Sequence, residues 1–225
     1  MTISLFLIFT AAAAAMMAAF IVESSSWWIK SACTPKTIGL YVSRSNIYLY
    51  FGRFFALAYN ALIAFGIENG APAGQVAATL AIGFAGTCVA HVLLLRGDAI
   101  THLTIAATAR ILFLPKPGPY VHAARPRMER RIVTATAIAS LCFGIGISLP
   151  LLLAVFVPQY RMSLSYVGQT VNALGTIMLL FMVDQRLFRS LDEGDLAQTL
   201  PSYSIGRALA FGLSAVLCFL IYEAI

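Results

Sequence analysis

Residues 171–191 read VNALGTIMLLFMVDQRLFRSL, and their pattern decides the fold. Apolar side chains dominate from Ala173 to Val183, without the two-residue alternation of a half-buried strand. The run turns polar at Asp184-Gln185-Arg186. Such a segment reads as a helix in hydrocarbon, with Asn172 and Asp184 at either end of its apolar part. Amide and carboxylate groups at membrane depth are costly and persist mainly where they face a bundle interior or a water-filled path. Just before it, Pro158-Gln159-Tyr160-Arg161 breaks the chain between two apolar runs.

Runs of similar length recur across all 225 residues, which are 60% hydrophobic and 11% charged, with mean hydropathy +0.86. Soluble domains carry about 25% charged residues. The chain is therefore expected to be all-α, a polytopic membrane protein forming one transmembrane domain over residues 1–225. Six spans are predicted: Ile3–Val22, Asn46–Gly66, Val76–Leu95, Ile132–Val157, Ser165–Val183 and Ile205–Ala224. The first has small-residue cleavage-like sites at Ala11 to Ala15 but no Lys or Arg before its apolar run. It reads as a retained span rather than a signal peptide.

The first, third and fifth connections carry twelve basic residues against one, Arg161, in the second and fourth. The positive-inside rule then puts the odd connections in the cytoplasm and both termini outside. The net charge of +6 reads as contact with anionic membrane lipids, with no nucleic acid implied. Within the long third connection, residues 96–131, Ile100, Leu103, Ala107, Ile111 and Leu114 recur at helical spacing. They predict an amphipathic helix at the cytoplasmic interface, broken by the run from Leu114 to Pro119. Trp27 and Trp28 read as an interfacial aromatic anchor. Three spans on each side of the third connection allow an inverted repeat.

Arg53 is the sharpest single residue, a permanent cation inside span two whose fork suits phosphate or carboxylate. Asn46 and Asn60 lie seven residues either side of it, two turns away and near the same face. Snorkelling, or an ion pair with Glu23 or Asp184, would equally account for the charge. Glu23 and Lys30, also seven apart, are expected at the cytoplasmic end of span one, either as interfacial charge or as a headgroup-binding rim. Gln169, Asn172 and Thr176 share a face of span five. His91 reads as bonding a neighbouring helix, and Cys33, Cys88, Cys142 and Cys218 as buried apolar side chains.

Enzyme signatures are missing. Lys116 and Arg125-Pro126 hint at a lipid phosphatase, but the spacing is wrong and no histidine follows His122. No clustered aspartates, metal set, nucleophile elbow or phosphate-cradling glycine loop is present. Catalysis is not expected, and no cofactor is implied.

One ordered set of residues goes further. Pro158-Gln159-Tyr160-Arg161-Met162-Ser163, Asn172, Gly175-Thr176-Ile177-Met178, Val183-Asp184 and Asp192, with Glu23, Lys30, Thr34, Asn46 and Arg53 nearer the amino terminus, resembles the Amj family of lipid II flippases. The chain departs from that family in being shorter, in having Lys30 where Arg is common, and in having Gln185 where Pro follows the Asp. Lys30 keeps the charge but loses the bidentate fork.

The resemblance implies a flippase in the bacterial cytoplasmic membrane. It would move the undecaprenyl-diphosphate-linked disaccharide-pentapeptide of peptidoglycan synthesis from the cytoplasmic to the outer leaflet. Arg53, Asn46, Asn60, Gln169 and Asn172 would line its polar groove. Lys30 and the basic third connection would collect the headgroup, and Glu23, Arg161 and Asp184 complete the candidate set. With no nucleotide-binding motif, the driving force would be the membrane potential, an ion gradient or consumption of product outside. A small-solute secondary transporter and a non-transporting scaffold subunit remain alternatives, and the sequence leaves homo-oligomerisation open.

Overall fold

The computed structural model describes residues 3–96, 98–117 and 127–225. Gly118, Pro119, His122 and Arg125-Pro126, considered above, lie outside them. The described residues are helical nearly throughout, with no strand. The helices are α1 (Ile3–Lys30), α2 (Ile38–Glu68), α3 (Ala73–Arg96), α4 (Asp98–Ile111), α5 (Arg130–Phe156), α6 (Arg161–Met178), α7 (Gln185–Glu193) and α8 (Leu196–Ala224). A 3₁₀ turn, Pro158–Tyr160, leads into α6, and a π-helical turn, Leu179–Asp184, joins α6 to α7. Six segments are long and apolar enough to cross a membrane: α1, α2, α3, α5, the Pro158–Glu193 composite and α8. The chain is a multi-pass membrane protein by length and composition.

Several helices outrun their predicted ends. α1 continues past Val22 because Ser24, Ser25 and Ser26 turn their hydroxyls back onto the carbonyls of Phe20, Val22 and Glu23 at 3.0, 3.1 and 2.7 Å. Such bonds let serines sit inside an apolar helix without unpaired groups. Glu23 therefore lies about 10 Å deeper than Lys30, at roughly 1.5 Å per residue, and not at the span's end. α2 starts at Ile38, which makes Arg53 the sixteenth of 31 residues, halfway along. The predicted fifth connection is mostly helix. Only Gly194 and Asp195 separate α7 from α8, with Gly194 left-handed (φ +77°) and the two amide N–H groups donating to the carbonyls of Leu191 and Ser190. Glycine suits this cap because no Cβ opposes the left-handed turn.

The spans form an arc. α2 packs on α1, α1 on α3, α3 on α8, α8 on α5 and α5 on α6. The two halves repeat one pattern: the first helix of each (α1, α5) holds the second (α2, α6) and the third (α3, α8), and the third helices pair with each other. With three crossings per half, the second half enters from the opposite side. This is the packing expected of an inverted repeat.

The odd connections gather at one end. Arg44 Nη1 donates to the Leu112 carbonyl at 3.1 Å and the Tyr41 hydroxyl to the Pro115 carbonyl at 3.0 Å, which ties α4 to α2. Arg186 forks onto Glu129 at 3.0 and 2.7 Å and reaches Glu193 at 3.4 Å. Ser202 Oγ accepts from the Glu129 amide at 2.9 Å, so α5, α7 and α8 are laced together here. α4 buries Ile105 and Ala109 against this end, joined by Leu112 just beyond it, while Ile100, Leu103 and Ile111 of its predicted apolar face point outward. Trp27 and Trp28 are not an interfacial anchor but are buried in the core, because α1 runs on past them and Phe188 packs edge-on to Trp27 at 4.9 Å.

Close helix contact depends on small residues, as membrane interfaces commonly do. A Cβ on Gly206 of α8 would stand 2.6 Å from the Val133 carbonyl oxygen of α5, whereas one on Gly74 would meet nothing nearer than Tyr222 at 3.6 Å. Gly206→Val is expected to push α8 off α5 and abolish the monodisperse peak of the detergent-purified protein in size-exclusion chromatography. Gly74→Ala should leave that peak intact.

Candidate functional site

α2 and α6 stand at opposite ends of the arc and make no substantial contact with each other. Between them runs a groove built of two adjoining cavities, of about 450 and 520 Å³, which share Ile147 and Asn172 as lining residues. The first is lined by Glu23 of α1, Arg53 and Tyr59 of α2, Asn172 and Thr176 of α6, and Asp184 of the π turn. The second is lined by Asn60 and Glu68 of α2 and by Arg161, Ser165, Gln169 and Asn172 on the other wall. The groove therefore carries polar groups from the end near Asp184 to the end near Arg161. Exposed apolar side chains also belong to its lining, Leu57 on α2 and Leu180 in the π turn.

Seven of the nine residues singled out from the sequence line this groove: Arg53, Glu23, Asn60, Gln169, Asn172, Asp184 and Arg161. Arg53 is exposed at mid-helix. Among the described residues it has no carboxylate partner, only its own Tyr50 ring 5.8 Å away. Asn60 donates to the Ala56 carbonyl at 2.8 Å, and Arg161 Nε to the Ala154 carbonyl at 3.3 Å. The Oδ1 of Asn172 is buried without a hydrogen-bond partner, an acceptor held facing the groove wall. Two residues stand elsewhere. Asn46 is exposed near the basic end and lines neither cavity.

Lys30 is the larger departure. Only 1% exposed, it lies with Nζ 4.0 Å above the Trp27 ring and 5.4 Å from Phe188. The interior, not a headgroup-binding rim, is its place, because the extended α1 carries it under α7. It faces Asp184 electrostatically. Asp184 in turn is set among Glu23, Lys30 and Arg207. Its sequence neighbour Arg186 turns away to Glu129, so it does not neutralise Asp184 as its position suggests.

Arg207, just inside the predicted last span, is fully buried in α8. Its Nη1 donates to Glu23 Oε2 at 3.0 Å and its Nη2 to Glu23 Oε1, a two-pronged fork. The guanidinium also stacks on Tyr203 and Phe211 at 5.1 and 5.8 Å. His91 Nε2 lies 3.1 Å from Ser24 Oγ, the interhelical bond expected of it, with the ring 6.0 Å from Phe211. Glu23, Asp184, Lys30 and Arg207 thus form a cluster of two carboxylates and two cations with no net charge. Sequence reasoning missed Arg207 and Glu68; a charge inside an apolar run was the signal available for Arg207.

No protein-family model, no curated protein and no solved structure matches this chain. Among the described residues no group of His, Cys, Asp and Glu is placed to hold a metal ion. The four cysteines are unpaired, and in the turn after α1 burial pushes the Cys33 thiol up, keeping it protonated. What the groove offers is permanent positive charge at mid-depth, amide and hydroxyl groups along its walls, and an ion pair beneath.

The Glu23–Arg207 fork is expected to hold α1 against α8. Arg207→Met leaves the half-buried Glu23 carboxylate without its partner and should cost about 3 kcal/mol, the low end for breaking a buried pair. The double variant Glu23→Gln/Arg207→Met should recover much of that loss, since both charges leave together. Unfolding in detergent micelles measures both, and equal losses in the single and double variants would count against the fork.

Proposed function

We propose that this chain is a flippase for lipid-linked diphosphates, moving undecaprenyl-diphosphate-linked peptidoglycan precursor from the cytoplasmic to the outer leaflet of the bacterial membrane. The observation that carries the reading is the groove between α2 and α6, with polar groups on both walls, exposed apolar Leu57 and Leu180 in its lining, and an unpaired Arg53 halfway along α2. A diphosphate headgroup cannot cross hydrocarbon alone, because burying unpaired charge is prohibitive. A groove with a cationic fork replaces its hydration, while exposed apolar Leu57 and Leu180 in its lining let a prenyl tail stay in lipid. The ordered residues shared with the Amj family support the same substrate class.

On this reading the end bearing α4 and the Arg186–Glu129 lacing faces the cytoplasm, and its basic residues concentrate anionic headgroups there. Arg53 forks onto the diphosphate, and Asn60, Asn172 and Gln169 serve the sugars and amides of the headgroup. The inverted packing pattern of the two halves supplies two ways of opening the same groove, to one leaflet and then the other.

A small-solute secondary transporter is the second reading. It is favoured by cavity volumes of about 450 and 520 Å³, which fall within the range of small-molecule sites.

Arg53→Ala is expected to insert normally and fail to support growth when this chain is the only lipid II flippase in the cell. Arg53→Lys, which keeps charge without the fork, should restore part of the activity. Accessibility of lipid II at the outer leaflet is the readout. Full function in Arg53→Ala sinks the role of Arg53, and uptake of a water-soluble substrate with no lipid II accumulation on depletion favours the second reading.

A further inference from the structure

Asp184 stands apart from the other charged residues beneath the groove. Glu23 has both oxygens engaged by Arg207, and Lys30 is capped by Trp27. Asp184 makes no side-chain hydrogen bond or ion pair among the described residues, and it lines the first cavity beside Glu23 and Arg53. It is also the last residue of the π turn Leu179–Asp184, where the broad α6–α7 helix changes its hydrogen-bond register. Such turns are local insertions that recur at functional sites.

The groups facing Asp184 come from every neighbouring element. α1 supplies Glu23 and Lys30, α2 supplies Arg53 across the cavity, and α8 supplies Arg207 and Tyr203. α5 contributes only apolar Phe143 and Ile147 to this cavity, and Arg186 of α7 is turned to Glu129 and Glu193. Glu23, Lys30 and Arg207 therefore set one negative and two positive neighbours around Asp184. An anion arriving at Arg53 adds negative charge to the same cavity, and a proton on Asp184 would offset it.

We propose that Asp184 is the proton-exchanging carboxylate of the groove, binding one proton as an anionic headgroup enters beside Arg53. The proton comes from groove water and forms an O–H bond at one Oδ, which takes the four-residue cluster from zero to one positive charge. On release that bond breaks and the proton returns to water. A metal cation is a poor occupant, because hard cations want six or more oxygen ligands and this site offers two carboxylates already facing two cations. The proton site stands independently of the lipid substrate; its linkage to a diphosphate rests on the flippase reading.

The purified chain in lipid nanodiscs tests this by infrared difference spectroscopy between neutral and acid pH. A protonated-carboxyl C=O band is expected that Asp184→Asn removes, Glu23→Gln keeps and Asp184→Glu shifts; the last covers failure of Asp184→Asn to assemble. A band unchanged in Asp184→Asn, or lost in Glu23→Gln, overturns the assignment. Farnesyl diphosphate is the anionic probe. Its affinity for the natural chain, relative to Asp184→Asn, should rise as pH falls, by up to about tenfold per pH unit for one linked proton. No difference between the two overturns the linkage. No farnesyl diphosphate binding by either, with an Asp184-dependent band, overturns the lipid-diphosphate reading and leaves the proton site standing.

Discussion

Burying charge inside an apolar bundle is the constraint around which this molecule is arranged, and the Glu23–Arg207 fork is where it is met. A lone carboxylate or guanidinium at membrane depth is expensive, but a pair with both prongs engaged and aromatic rings on the cation is tolerated. The fork joins α1 to α8, two helices that otherwise touch little, across the middle of the arc. It leaves Glu23 partly open to the groove, with 31% of its side chain exposed, while Arg207 is sealed. The acid therefore belongs both to the core that holds the helices and to the cavity that would meet a substrate.

The packing that secures this core leaves α2 and α6 as its outer members. Each packs chiefly on one partner, α1 or α5, so much of its remaining surface is free. The consequence shows in burial: 17% of the α2 apolar window and 22% of that in Pro158–Glu193 are buried, against 39% or more in α1, α3, α5 and α8. Helices held on one side only are the ones able to move with least loss of packing, and they are the ones that line the groove. The π turn in the α6–α7 segment adds a local break where such movement is easiest.

Much of the groove was legible in the sequence because its residues follow helical arithmetic. Arg53 and Asn60 are seven apart, as are Gln169 and Thr176, and residues two turns apart share a face wherever the helix goes. The errors arose where a residue's setting depends on another helix. Lys30 read as surface charge because a lysine after an apolar run commonly is one; the structure buries it since Phe188 of α7 closes over it. The serines after Glu23 read as a connection because hydroxyls suit loops as well as helices, and only their bonds to the preceding turn show that α1 continues.

By itself, then, the sequence determined the helical class, the six crossings, and the two helix faces that carry polar groups, because hydrophobic period and run length act locally. The charge asymmetry of its connections likewise required no fold to be seen. Only the tertiary structure decided which acid meets which base. Glu23 and Arg207 are 184 residues apart, and nothing local distinguishes that pairing from one with Arg53. Adjacency of α1 and α8 follows from how six apolar surfaces fit together. That fit left Arg53 and Asp184 in the open groove while placing Arg207 beneath it.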